Sequence, residues 1–316
     1  MRRFVLTAFA LIATTRLAAQ APPIADSVLQ QGLVEQAETM YYAAVRAAPR
    51  SPDARLRLGR FLIQRGATRV GAVLVEEAVQ FGLDPATAAP VLAAAYETLG
   101  DFQSLSRLSP TVVGASTIAR ARWLIDHPLR VAASDSVIQL EYRERLAGDT
   151  IGTIPIRING RNFTAVISAR ARGIIVGSDV ANATRAHRFE SAVDSGRALR
   201  LAVVDSVDFG KLAVRNSPIR IDASGGVRGV LVGLDALMRF APVFDATSSR
   251  LAVRAGGSAA PTPAQGTEIA TLLVDGELLA VTAGGWASIA MPNIARQLRG
   301  HRWTIDAKRG RIVVER

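Results

Sequence analysis

The sequence has no cysteine, which excludes disulfides, a lipidated N-terminal cysteine, thiolate metal sites and a cysteine nucleophile together. Histidine is almost as scarce: His127, His187 and His301 lie far apart, without the i, i+4 spacing of a helical zinc site, so neither a metal nor a cofactor is expected. Lysine occurs only at Lys211 and Lys308, so the formal charge of +11 is almost entirely arginine, and those arginines are scattered rather than gathered in a run. Aromatic residues make up only 5%. Nucleic-acid binding asks for stacking aromatics beside a basic patch, and that class is set aside. Long apolar runs are missing too: after the N-terminus no window has about 18 uncharged apolar residues in a row, so no stable membrane span is expected.

What is present is an apolar fraction of 49% over 316 residues, enough for two domains or one bilobed one. Arg2 and Arg3, the apolar run Phe4 to Ala13 and the small residues Leu17-Ala18-Ala19-Gln20-Ala21 read as charged region, hydrophobic region and cleavage site. Residues 1–21 are therefore expected to be a signal peptide, making the protein exported, periplasmic or secreted, with an uncleaved anchor as the alternative. Removing Arg2, Arg3 and Arg16 with that leader leaves a net charge of +8.

Residues 25–110 carry helical periodicity. Gly32, Gly66 and Gly100 are spaced 34 residues apart, and Ala37, Tyr41, Ala44 and Pro49, then Gly71, Ala78 and Pro85, hold similar offsets; a third unit keeps Ala94 and Tyr96 and then degenerates. The segment resembles a short tetratricopeptide array. That resemblance implies stacked helix pairs with a concave face for a peptide or protein partner, or, in the plainer alternative, a cap that orients the next domain.

Past a polar, proline-containing stretch around Ser109 to Ser136 the period becomes two. Val137 to Tyr142 and Ile154 to Ile158 predict strands; Asn159-Gly160 predicts a tight hairpin into Phe163 to Ile167. Val203 to Phe209, Leu212 to Val214 and Ile219 to Ile221 predict short strands broken at Gly210 and at Asn216-Ser217-Pro218.

From Ile151 to Arg254 these pieces resemble the retropepsin-like aspartic protease family, on the hairpin at Asn159-Gly160, the run Gly229-Val230-Leu231-Val232-Gly233-Leu234-Asp235 and the closing Val243-Phe244-Asp245-Ala246 with Arg250-Leu251. The resemblance implies an Asp-Thr-Gly motif after the hairpin, but Ser168-Ala169-Arg170 stands there. Aspartic proteolysis needs two carboxylates sharing a proton, which serine cannot do, and Arg170 brings a cation instead. A linker is expected over 255–267. Beyond it, over 268–316, the Asp275-Gly276 turn, Val281-Thr282-Ala283-Gly284-Gly285 and Ile305-Asp306-Ala307 with Arg311-Ile312 read as a shortened second copy, also without the aspartate.

The expected fold class is thus α+β and multidomain: an N-terminal tetratricopeptide-like α-solenoid (25–110), then a mainly β, bilobed retropepsin-like fold (136–254 with 268–316). The expected function is binding by a non-catalytic relative of the aspartic proteases, with a peptide or protein partner. Ser168, Arg170, Arg172, Thr282 and Gly284 are the candidates for the floor of an inter-lobe cleft; Ala169 completes the degenerate motif, and no catalytic residue is assigned. The alternative is an active aspartic peptidase using a non-standard or intermolecular carboxylate pair. Asp235 is expected to cap a helix, Asp245, Asp275 and Asp306 to serve turns, and Trp123, Trp286 and Trp303 to pack in the core. A Ser168–His187 pair lacks the orienting group and oxyanion hole that nucleophilic catalysis requires. Nothing selects an oligomeric state.

Overall fold

The computed structural model describes residues 24–189, 198–255, 266–282 and 284–315. The expected signal peptide lies outside them, as does the expected linker apart from its ends, where Gly266 and Thr267 already belong to a strand. The described chain is α+β, with helices first and two sheets after them. None of its helices is long and apolar enough to cross a membrane.

Residues 24–30 are helical and are followed by α1 (Val34–Ala47), α2 (Pro52–Gln64), α3 (Thr68–Gln80) and α4 (Pro85–Leu99). Ser51 and Asp84 open α2 and α4 by accepting from Ala54 N and Ala86 N, each with proline in the first turn, where its missing N–H costs no helical hydrogen bond. Gly32, Gly66 and Gly100 follow helix ends at φ of +80°, +88° and +70°, so the 34-residue period marks a recurring left-handed turn. In the third unit the second helix shrinks to α5 (Phe102–Leu105). α2 and α3 touch backbone to backbone: a β-carbon on Gly71 would lie 2.5 Å from the Gly59 carbonyl oxygen.

The stretch around Ser109 to Ser136 is more than a connection, since it forms α6 (Pro110–Val113), α7 (Ala115–Asp126) and β1 (Arg130–Ala133). α7 buries Ile118, Ala121 and Leu124, and with them Arg120.

The strands that follow are β2 (Val137–Glu141), β3 (Arg143–Ala147), β4 (Thr150–Ile158), β5 (Arg161–Ser168), β6 (Ile174–Gly177), β7 (His187–Phe189), β8 (Leu199–Phe209), β9 (Leu212–Asp222) and β10 (Val230–Gly233), with α8 (Ser178–Ala183) after β6. Asn159 and Gly160 both adopt positive φ, as a tight hairpin between β4 and β5 requires. The expected break at Asn216-Ser217-Pro218 is absent. β9 runs through it with Pro218 opposite Val203 of β8, and the local disturbance is confined to Asn216 at φ +52°. Among the described residues the first sheet has nine strands in the order β1-β9-β6-β10-β5-β4-β8-β7, with β3 on β4; pairing of β8 with β9 closes the path on itself. β10 lies between β5, parallel to it with Gly233 opposite Ser168, and β6, antiparallel.

The second sheet is built from β2, β11 (Val243–Asp245), β12 (Arg250–Arg254), β13 (Gly266–Val274), β14 (Glu277–Thr282), β15 (Gly285–Ser288), β16 (Arg302–Asp306) and β17 (Arg311–Glu315). Two short helices, α9 (Leu234–Met238) and α10 (Pro292–Leu298), precede β11 and β16. The sheet order is β15-β14-β13-β17-β16-β11-β12-β2. The six strands from β13 to β2 in this order are two copies of one unit. β2 pairs with β12 as the first half of β13 pairs with β17, and β11 meets β16 antiparallel with Phe244 opposite Trp303. Those two rings stack at 4.0 Å and an interplanar angle of 13°, so Trp303 is core. The hairpin repeat legible in Phe244-Asp245-Ala246 and Ile305-Asp306-Ala307 is therefore an axis of local twofold symmetry. Asp245 and Asp306 serve turns, accepting from Thr247 N and Arg309 N.

The helices dock on the second sheet by their ends. Arg65, just past α2, donates to the carbonyl oxygens of Thr271, Arg309 and Gly310, and Trp286 Nε1 donates to Leu29 O at 2.6 Å.

Candidate functional site

Residues 168–173 form the loop between β5 and β6, where the sequence resemblance leads one to expect Asp-Thr-Gly. Ser168 is buried, and its Oγ accepts from Arg170 N at 3.3 Å and Ala171 N at 3.1 Å, so the hydroxyl closes its own loop. Ala169 N donates to Asp149 O at 2.8 Å. At the far end Gly173 N donates to both carboxylate oxygens of Asp235, at 2.8 and 2.9 Å, while Gly233 N donates to Gly173 O at 2.7 Å. Any side chain at Gly233 would collide with this loop, because its β-carbon would lie 2.1 Å from Ala171 O. Asp235 thus does not cap α9, whose cap position is Gly233 with no side-chain bond; it sits one residue into the helix and reaches across to hold the loop. Burial pushes the Asp235 carboxyl up, against the pull of the two amides.

Arg170 is exposed and lies between two carboxylates, Asp149 at 3.3 Å and Glu277 at 3.4 Å. Both carboxylates are thus engaged by the same guanidinium. Arg172 turns the other way, toward the helices. Thr282 Oγ1 donates to Gly285 O and accepts from Gly284 N, closing the turn between β14 and β15. The neighbours of that turn, Val281 and Gly285, abut Gly32 and Gln30. No hydrogen bond or ion pair among the described residues joins Ser168, Arg170 or Arg172 to Thr282 or Gly284. The loop instead meets the β13–β14 turn, where a β-carbon on Gly276 would lie 2.5 Å from Arg172 Cβ. Asp275 and Gly276 have the positive φ of a hairpin turn.

Beside the loop lies a cluster that sequence reading missed. Glu97, near the end of α4, pairs through one oxygen with Arg120 of α7 and through the other with Arg172 at 3.2 Å and Arg220 of β9 at 3.4 Å. Arg239 donates to the Glu97 backbone oxygen at 2.8 Å, and Arg220 also donates to Arg172 O at 2.7 Å. Burial alone would raise the Glu97 carboxyl, but Arg120, Arg220, Arg172 and Arg239 together hold it below its ordinary value. Arg220 is pushed down to about 10, first by burial and then by Arg172 and Arg120, with Glu97 offsetting this only in part.

A comparison with solved structures finds a crystal structure of a retropepsin-like aspartic protease from Rickettsia conorii. It is 16% identical to this chain, with a TM-score of 0.27, and the match covers 40% of this chain and 91% of that one. No protein-family profile matches the chain, and a search of curated proteins found no match. A likeness at that TM-score carries no weight alone, so the chemistry rests on this chain's own side chains.

The Glu97 cluster faces a cavity of about 450 Å³ between the helices and the first sheet. Its wall includes Arg172, Gly173 and Asp235 from the loop side and Glu97, Phe102 and Arg120 from the helical side. Of the residues singled out in the sequence, Arg172 and Asp235 reach it. Arg120 gave no separate signal, since an arginine in the polar stretch after Ser109 reads as solvated; its place on the apolar Ile118-Ala121-Leu124 face of a helix is the one pattern that could have marked it. Elsewhere, Trp123 is half-buried and stacks on both His127 at 4.2 Å and His187 at 5.5 Å, so these histidines meet an aromatic ring and not Ser168.

Proposed function

We propose that this protein binds and does not cut: an exported relative of the retropepsin-like aspartic proteases, without catalysis, that takes a peptide or protein partner. The observation carrying this reading is the state of the motif loop. Ser168 replaces the aspartate and spends its hydroxyl on its own loop amides, while Arg170 occupies the space between Asp149 and Glu277. A carboxylate dyad must share a proton, and neither arrangement provides for that. The partner surface we favour is where the loop and the 275–277 turn meet, with an extended peptide held by main-chain pairing; the helix pairs, tetratricopeptide-like in period, offer a second face to a protein.

The test is cleavage of a mixed peptide library at acid pH by the protein from residue 22 onward, with and without a pepstatin-type inhibitor, beside the double variant Ser168→Asp, Arg170→Gly. Both proteins are expected to be inert, the variant because a single restored aspartate still has no partner, and some peptides are expected to be retained uncut. Inhibitor-sensitive cleavage by the wild type would sink the reading and direct attention to Asp149 and Glu277.

A further inference from the structure

We propose that the cavity walled by α4, α7, β9 and α9 is a binding site for a small carboxylate with an apolar body. Its charged lining is unbalanced: four arginines, Arg120, Arg172, Arg220 and Arg239, face two carboxylates, Glu97 and Asp235, for a net charge of +2, with Arg120 and Arg220 largely buried. Asp235 is already engaged by the Gly173 and Ala236 amides, which leaves Glu97 to answer most of the guanidinium charge. Each guanidinium has five N–H donors, and the contacts above use one or two nitrogens on each. Arg120 is only 3% exposed, lines the cavity, and its Nε has no partner. A carboxylate meeting the guanidinium edges on the cavity wall would add charge-assisted hydrogen bonds to arginines that Glu97 alone does not satisfy.

The rest of the wall selects the ligand's body. Phe102, Leu129, Phe209, Ile219, Phe240 and Leu273 are among the lining residues. A volume of about 450 Å³ is within the range of about 300–1,000 Å³ typical of small-molecule pockets. Planar guanidiniums in a fork suit a planar carboxylate, and an apolar wall suits a hydrocarbon better than a hydrated inorganic ion. Val131, at 41% exposure, and the exposed Thr98 and Arg239 are the more accessible lining residues and mark the mouth.

The experiment is isothermal titration of the protein from residue 22 onward with decanoate, with decan-1-ol and with inorganic phosphate. Decanoate is expected to bind at least tenfold more tightly than either control. Arg172→Gln should weaken decanoate at least tenfold by removing a donor. Val131→Trp should do the same by narrowing the mouth without touching any charge, and it carries the test if the arginine variant does not fold. Equal binding of the alcohol shows that the arginines do not recognise the ligand; phosphate binding as tight as decanoate shows a simple anion site; no decanoate binding, or binding unchanged in Val131→Trp, places it elsewhere. Each of these overturns the proposal.

Discussion

Glu97 illustrates how much of a site can hang on one side chain that no motif announces. Its carboxylate is 19% exposed and answers three guanidiniums, of which Arg120 is 4% exposed. Glu97→Gln keeps the shape and removes the charge, leaving buried arginines without their counter-ion. A loss of about 3–5 kcal/mol is expected, since breaking one side of a buried pair strands the other, and urea unfolding at neutral pH measures it. The pH dependence has a definite sign. The folded Glu97 carboxyl lies below its unfolded value, so its contribution is complete above an ordinary glutamate pKa of about 4.3 and fades as pH falls through the lower folded value. Wild type should therefore lose stability on acidification more steeply than Glu97→Gln, which has no carboxylate there to titrate. At this scale the sequence was partly legible. Ser168 and Arg170 could be named from their place after the Asn159-Gly160 hairpin and its strand, whereas Glu97, Arg120 and Arg220 are joined across 23 and 123 positions of chain, a pairing no local pattern encodes.

At the scale of elements, periodicity was the better guide. The 34-residue glycine spacing marked real helix ends, and the Asn159-Gly160 and Asp275-Gly276 pairs marked real hairpins, because in each case the backbone needs φ values that few other residues accept. What failed were elements whose signals conflict. β9 continues through Pro218 because its pairing with β8 on either side outweighs the lost donor, and α7 was hidden by the arginines among its apolar positions. The contact of α2 with α3 gives a direct test of the small residues noted in the helical repeats. Gly71→Ala would gain about 1 kcal/mol of helix propensity if the helix stood alone. Here its β-carbon meets Gly59 O at 2.5 Å and the Ile63 side chain at 2.7 Å, so α2 and α3 must separate. A net loss of about 1–3 kcal/mol is expected from overpacking, read as a lower melting temperature, while Gly284→Ala, whose β-carbon meets nothing nearer than 3.9 Å, should leave it unchanged.

For the molecule as a whole, the duplicated hairpins foretold a relation between the two β halves, and the structure turns it into one continuous sheet across a local twofold. The attachment of the helices to that sheet was not foretold, because it uses backbone carbonyls and helix ends, which carry no sequence signature of their own. Arg65 is its main polar link, with three carbonyl acceptors on β13 and the β16–β17 turn, and Gly66 beside it has no room for a side chain, since a β-carbon there would fall 1.8 Å from Ala307 O. If this link couples the two parts, Arg65→Ala should lower the stability of the helices against the sheet by roughly 2–4 kcal/mol, the order expected for a few hydrogen bonds from a charged donor. Hydrogen exchange followed by mass spectrometry resolves the two parts separately. Amides of α1 to α3 should exchange about 30- to 1,000-fold faster in the variant while those of β16 and β17 hold their rates, because the sheet keeps its own core around Phe244 and Trp303. Equal acceleration in both parts would mean that helices and sheet unfold as one unit however they are joined, and no acceleration would mean that Trp286 and the Glu97 cluster hold the helices without Arg65.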